Sequence, residues 1–211
     1  MTQAALLAAG IEEMGLDVPA GTQNKLLAYL ALLQKWNKVY NLTAVRDPLD
    51  MVTLHLLDSL SVLPHVKAQR LLDVGSGAGL PGIVLAICRP TLQVTTIDTV
   101  QKKAIFMRQV KGELALDNLQ VVHSRVENFK PAEQFEAIIS RAFSDLQLFV
   151  GLTRHLLAKN GQWLAMKGLV PHPELDINEL ESLKIKLQEI IPLTVAGLNA
   201  ERHLVVLENN E

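Results

Sequence analysis

The sequence contains a single cysteine, Cys88, among 211 residues. One thiol can form neither an internal disulfide nor a cysteine metal cluster. Set at the end of the apolar run Ile83-Val84-Leu85-Ala86-Ile87, it reads as core in a reducing compartment. An excess of either charge is also missing: 20 Lys and Arg stand against 22 Asp and Glu, a net charge of −2. That balance excludes a uniformly basic surface but leaves room for a local basic patch. No apolar run reaches the ~20 residues needed to span a membrane. The short run Ala4 to Ala9 has no basic residue before it and is followed by Glu12 and Glu13, which argues against a signal peptide. Internal repeats, low-complexity segments and flexible linkers are absent as well. What remains is an ordinary globular composition, 49% hydrophobic and 20% charged, long enough for one domain with an appendage. The expectation is a cytoplasmic monomer with no membrane partner and no metal site.

The chain is organised around Arg70-Leu71-Leu72-Asp73-Val74-Gly75-Ser76-Gly77-Ala78-Gly79-Leu80-Pro81-Gly82-Ile83. Leu71, Leu72 and Val74 suit a strand buried on both faces. Gly75, Gly77 and Gly79 permit positive φ and let a ligand lie against bare backbone. Pro81 then suits a first helical position. Gly77-x-Gly79-x-x-Gly82 matches a dinucleotide fingerprint, but Asp73 argues against a pyrophosphate there. A carboxylate at the mouth of the turn would repel the phosphates that a helix N-terminus attracts. It would instead suit S-adenosylmethionine, which carries an ammonium and a sulfonium. Asp98, ending the next strand, can accept hydrogen bonds from ribose hydroxyls. A dinucleotide, or a glycine turn with no ligand, remains the alternative.

Before this stretch, residues 2 to 64 show helical periodicity only. Leu26, Leu27, Leu30, Leu33 and Trp36 form a stripe that reads as core packing. Asp47-Pro48-Leu49-Asp50 resembles an N-cap with proline at the first helical position. About three helices thus form an N-terminal cap over residues 1–64, with 65–211 as the main domain. Within the cap, Trp36 to Thr43 mixes aromatics, amides and a lysine. It either seals the cap onto the sheet or contacts unstacked bases. His55 and Asp58, three residues apart, read as a hydrogen-bonded structural pair, with a catalytic dyad as the alternative. From 70 onward strands alternate with helices, the pattern of a doubly wound α/β sheet. Strands are expected at 70–75, 93–98, 119–123, 135–140, 161–167, 190–195 and 202–207. Helices are expected at 81–88, 100–115, 145–158 and 174–188. The connection between the last two strands is too short for a parallel crossover, so these should pair antiparallel.

Ligands of such sheets bind beyond the carboxyl ends of the strands. The candidates are therefore Gly75, Gly77, Leu80 and Asp98, then Val126 and Glu127 beside an adenine, and Arg141 at the end of the fourth strand. An arginine after the apolar run Phe135 to Ile139 needs a partner, and it can grip a carboxylate or phosphate bidentately. Glu127 reads equally well as a helix N-terminal carboxylate. The basic helix Gln101 to Lys111 reads as a solvated face, with phosphate contact as the sharper alternative.

Asp73-Val74-Gly75-Ser76-Gly77-Ala78-Gly79-Leu80-Pro81-Gly82 resembles the first motif of class I S-adenosylmethionine-dependent methyltransferases. Lys35-Trp36-Asn37-Lys38-Val39-Tyr40-Asn41-Leu42-Thr43, Ile139-Ser140-Arg141-Ala142-Phe143 and Glu201-Arg202-His203-Leu204-Val205-Val206 extend the likeness. Together, across essentially the whole chain, they resemble the RsmG (GidB) family of bacterial 16S rRNA guanine-N7 methyltransferases. The resemblance implies a Rossmann-like α/β fold, a mainly parallel seven-stranded sheet with one antiparallel strand after a helical cap. It implies S-adenosyl-L-methionine as cofactor, bound at Gly75, Leu80, Val126, Glu127 and Arg141. It implies 16S rRNA, in the small ribosomal subunit or an assembly intermediate, as partner. Ser140-Arg141-Ala142-Phe143 replaces the Asn/Asp-Pro-Pro-aromatic loop common in exocyclic-amine methyltransferases. Guanine N7 carries a lone pair and no proton, so no catalytic base is expected.

Overall fold

The computed structural model describes residues 1–143, 145–168, 180 and 182–210. Seven strands form one sheet: β1 (Arg70–Val74), β2 (Gln93–Asp98), β3 (Leu119–His123), β4 (Phe135–Ser140), β5 (Leu157–Lys167), β6 (Ile185–Pro192) and β7 (His203–Asn209). Their order is β3-β2-β1-β4-β5-β7-β6, and β7 runs antiparallel to both β5 and β6. This is the expected mainly parallel sheet with one reversed strand.

Alternation along β1 explains why both faces are covered. Leu71 packs in one apolar cluster with Ile83 and Val84 of helix α5 (Gly82–Cys88). Leu72 and Val74 point the other way, into a cluster with Phe149 of α7 (Leu146–Thr153) and Trp163 of β5. The buried indole of Trp163 donates to Thr153 Oγ1 at 2.9 Å, so its one polar atom is satisfied.

The N-terminal part is helical, as expected. α1 spans Gln3–Glu13 and α2 spans Ala20–Tyr40. Residues 48–60 then run as α3 (Pro48–Met51), a π-helical turn (Val52–Leu57) and α4 (Asp58–Leu60). Asp47 caps this run, accepting from the Leu49 and Asp50 amides, and Pro48 occupies the first turn. Leu7, Leu26 and Leu57 lie in the same cluster as Leu71 and Phe106, so the helices and the sheet share one core. Trp36 packs on Phe106 of α6 (Gln101–Glu113) with ring centroids 5.6 Å apart. Trp36 therefore seals α2 onto α6, while Tyr40 stacks on its outer side at 5.1 Å and stays exposed.

Three boundaries differ from expectation by more than three residues. β5 starts at Leu157 rather than 161, and α7 ends at Thr153 with a 3₁₀ turn to Leu156. β6 starts at Ile185 rather than 190, so 185–188 are strand and not the end of a helix. Lys186, Leu187 and Gln188 favour helix, but pairing with β7 from Ile185 to Pro192 overrides them. The rest of the helix expected at 174–188 falls mostly on 174–179 and 181, outside the described residues. Cys88 is half-buried against the larger core cluster, and burial pushes its thiol up to about 12. Among the described residues no helix is long and apolar enough to cross a membrane, and no His/Cys/Asp/Glu group could hold a metal ion.

Candidate active site

The strand order reverses at β1, with β2 on one side and β4 on the other. The helices that follow β1 and β4, α5 and α7, pack on opposite faces of the sheet, and a crevice opens beyond the strand ends between those connections. The glycine turn closes its floor. Gly75, Gly77 and Gly79 have φ of 68°, 60° and 95°. The Gly75 amide donates to Ile97 O at 2.9 Å and the Gly77 amide to Asp98 Oδ2 at 2.9 Å. Ser140 Oγ donates to Val74 O at 2.7 Å, tying the end of β4 to the start of the turn. From the helical part, the fully buried Tyr29 donates its hydroxyl to Ala78 O at 2.8 Å.

Three adjoining cavities open along this crevice. The first, about 350 Å³, is lined by Gly75, Asp98, Lys103, Val126, Glu127 and Phe143 among others. The second, about 190 Å³, lies over the turn and is lined by Gly75, Gly77, Leu80, Thr43, His55 and Arg141 among others. The third, about 480 Å³, is lined by His55, Asp58, Arg141, Lys167, Arg202 and His203 among others. Gly75 and Ala142 are common to the first two, and His55 and Arg141 to the last two.

The seven expected residues thus converge, in two groups. Gly75, Asp98, Val126 and Glu127 surround the first cavity; Gly75, Gly77, Leu80 and Arg141 surround the second. Asp98 is 7% exposed and holds two roles in the backbone, accepting from Gly77 and, through Oδ1, from the Val100 amide at 2.8 Å. Each oxygen of a carboxylate has a second lone pair, so both can still accept from a guest. Lys103 Nζ stands 3.9 Å from Asp98 Oδ2.

Asp73 differs from expectation. Its carboxylate does not guard the mouth of the turn but lies fully buried beneath it, where Oδ2 accepts from the Gly82 amide at 2.8 Å. Its Oδ1 has no partner. Burial drives its pKa up from 3.8 to about 7, against the opposing pull of the Gly82 amide. A group only partly ionised at neutrality, and set beneath the turn rather than at its mouth, repels a phosphate or attracts an ammonium far less than an open carboxylate would. The contrast drawn from Asp73 between a dinucleotide and S-adenosylmethionine therefore loses its footing.

His55 and Asp58 do not pair with each other. His55 Nε2 lies 3.0 Å from Thr43 Oγ1, while Asp58 accepts from Arg141 Nη1 at 2.7 Å and from Arg202 Nε at 2.9 Å. Burial, then the Arg141 charge, pulls the His55 pKa down to about 4, so the imidazole is neutral at pH 7. Lys167, 8% exposed at the end of β5, donates to Phe143 O at 3.1 Å. Among the groups that sequence reasoning misses, Tyr29 carries no distinguishing signal within its apolar stripe. Arg202 does carry one, as a cation abutting an apolar strand, whereas Lys167 is already marked by the sequence as the end of the fifth strand, where ligands of such sheets bind.

A family model described as rRNA small subunit methyltransferase G (GidB) matches residues 22–205. A ribosomal RNA small subunit methyltransferase G from Methylobacillus flagellatus is 67% identical over 201 residues, covering 95% of this chain and 96% of the relative. Its counterpart from Aromatoleum aromaticum is 55% identical, covering 98% and 99%. In fold the chain is similar to the glycopeptide N-methyltransferase MtfA complexed with S-adenosyl-L-methionine, at a TM-score of 0.60 and 10% identity, covering 74% of this chain and 94% of that one. The mitomycin 7-O-methyltransferase MmcR gives a TM-score of 0.59 at 15% identity, covering 75% and 55%. By the matched model and by these relatives, the chain belongs to the GidB family, rRNA small subunit methyltransferase G.

Proposed function

We propose that this protein transfers a methyl group from S-adenosyl-L-methionine to N7 of a guanine in the 16S rRNA of the small ribosomal subunit. The observation that carries the reading is the shared wall: Arg141 and His55 line both the cavity over the glycine turn and the larger cationic cavity beside it. A donor lying on the turn and a base entering the larger cavity would meet at that wall.

The residues present fit the donor. A Cβ on Gly75 would come within 2.8 Å of Ala142 Cβ, so only bare backbone leaves room there. Asp98 offers lone pairs to the two ribose hydroxyls, and Val126, Phe143, Leu152 and Ile97 give apolar surface for a flat ring. Glu127, exposed at the rim, would accept from the adenine amine. Gly75, Gly77 and Leu80 would hold the amino-acid end, with Arg141 beside its carboxylate. S-adenosylmethionine, when bound, supplies an electrophilic methyl group on a sulfonium. The protein's own task is alignment, since N7 offers an in-plane lone pair and has no proton to lose. Holding reactants in line supplies up to roughly 7–11 kcal/mol of barrier reduction. His55, neutral at pH 7, adds no charge to the meeting point, and Asp58 offsets the charge of Arg141.

In the same reading residues 1–64 are a cap that frames the target base, and 65–211 are the transfer domain. A ribosomal substrate implies the cytoplasm. The test is transfer of labelled methyl from S-adenosylmethionine to 16S rRNA, presented bare, in 30S subunits and in assembly intermediates. N7-specific chemical cleavage and primer extension should then locate one guanine. Label in protein or small molecules, with none in RNA, would overturn the proposal.

A further inference from the structure

Asp58 lies where three distant parts of the chain meet. Its side chain is 6% exposed, and its two oxygens accept from two different arginines, Arg141 at the end of β4 and Arg202 just before β7. β5 lies between those strands, so no backbone pairing holds the two guanidinium groups near each other. Arg141 Nη1 also donates to Leu54 O at 3.2 Å, and Arg202 Nη1 to Glu201 O at 2.9 Å. Two of the five N–H donors of each guanidinium are engaged in this way. Both side chains remain partly open, at 28% and 26%, and both line the 480 Å³ cavity. Two neighbouring cations repel unless a carboxylate stands between them, and one buried there also fixes their spacing and tilt.

We infer that Asp58 is a positioning residue whose two oxygens preset Arg141 and Arg202 as a joint seat for one oxyanion, a backbone phosphate of the RNA strand whose guanine enters the 480 Å³ cavity. This inference rests on the RNA reading above. The carboxylate of the methyl donor shares the oxyanion chemistry, but the position of Arg202 favours phosphate. Arg202 lines the large cavity and is not among the groups around the glycine turn. A guest gripped by both arginines therefore lies on the RNA side of the shared wall. A phosphodiester presents two oxygens to N–H forks, a match that arginine makes better than lysine.

Three variants test it: Asp58→Asn, Arg202→Lys and Arg202→Gln. Asp58→Asn keeps the size and one acceptor but loses the charge and the second acceptor. Arg202→Lys keeps the charge but has no Nε–H for Asp58. Both should lower kcat at saturating 16S rRNA at least tenfold. The slope of log affinity against log[KCl] for RNA binding should stay as in wild type, because no cation is lost. Arg202→Gln should make that slope shallower by about 0.7, the share of one phosphate on a single strand. Isothermal titration of S-adenosylhomocysteine should give wild-type affinity for the two Arg202 variants, which leave the Asp58–Arg141 pair in place. Weakened S-adenosylhomocysteine binding by Arg202→Gln with an unaltered RNA slope would assign the seat to the donor's carboxylate and overturn the inference. Wild-type kcat and KM, with only a lower melting temperature, would reduce Asp58 to a structural role and overturn it as well. If Asp58→Asn does not fold, the kcat of Arg202→Lys decides. Failure of the wild-type protein to methylate or bind RNA would strike the proposed function itself, and it is seen before any variant is compared.

Discussion

Asp73 and His55 titrate against the fold in opposite senses, and replacing Asp73 with Asn separates them. Unfolded, the Asp73 carboxyl ionises near its ordinary value; folded, burial holds it near 7. Between those values the native state keeps a proton that the unfolded chain has lost. Its contribution to stability is complete below about pH 4 and is lost as pH rises through about 7. His55 runs the other way. Unfolded it binds a proton below about 6.5, while folded it stays neutral down to about 4. Its contribution is complete above about 6.5 and is lost as pH falls toward 4. In the shared window each slope is about 1.4 kcal/mol per pH unit, with opposite signs, so the two nearly cancel. Asp73→Asn removes one of them. The difference in unfolding free energy between variant and wild type should therefore move by about 1.4 kcal/mol per pH unit between pH 5 and 6.5, in favour of the variant as pH rises. An offset is expected too. An Asn amino group at the partnerless Oδ1 position leaves buried donors unsatisfied, at about 1–3 kcal/mol. That cost is the same at every pH, so the slope remains clean. Urea melts from pH 5 to 7.5, with m held common, read the difference directly. Parallel curves separated only by an offset would mean that Asp73 stays ionised in the folded protein, and the reasoning from its burial would fail.

Other substitutions probe the turn from different sides. Tyr29→Phe leaves Ala78 O buried without its 2.8 Å donor, which should cost about 1–3 kcal/mol; calorimetry should show a lower melting temperature, and titration weaker S-adenosylhomocysteine binding. Gly79→Ala should destabilise more than Gly77→Ala, because its Cβ would fall 2.3 Å from Ile83 Cδ1 whereas Gly77 has open space out to Lys103 Nζ at 3.9 Å; equal melting temperatures would contradict the packing argument. Asp98→Asn should weaken S-adenosylhomocysteine binding about 10- to 100-fold, roughly 1.4–2.8 kcal/mol, by titration. Unchanged affinity would remove Asp98 from the ribose role.

The parallel strands are legible in the sequence because burial on both faces writes them as apolar runs, as in Phe135 to Ser140 with only Glu136 exposed. The first part of β6 is not, since an edge strand with one wet face can be composed of helix-forming residues and still pair. Asp73 shows a finer limit. Strand periodicity puts it on the same face as Leu71, which packs against α5, and that face leads under the turn to the Gly82 amide. Its burial is thus readable once the period is followed past the last apolar residue, while its place at a strand end suggests the mouth.

The cluster around Asp58 is illegible for a different reason. Its partners lie 83 and 144 residues away, and no local spacing announces a contact of that length. Helical spacing even misleads here. Three residues apart on an α-helix, His55 and Asp58 would share a face, but Val52 to Leu57 wind as a π-helical turn. The wider turn changes the angular offset along the helix. His55 meets Thr43 at the glycine-turn cavity, and Asp58 meets the two arginines at the larger one. π-turns recur at functional sites because they redirect side chains without breaking a helix, and this one serves both sides of the wall at which methyl transfer is proposed. Restoring an α-helical turn by deleting one residue within 52–57 should therefore cost activity even where the helix itself remains, and circular dichroism beside a methylation assay would separate the two.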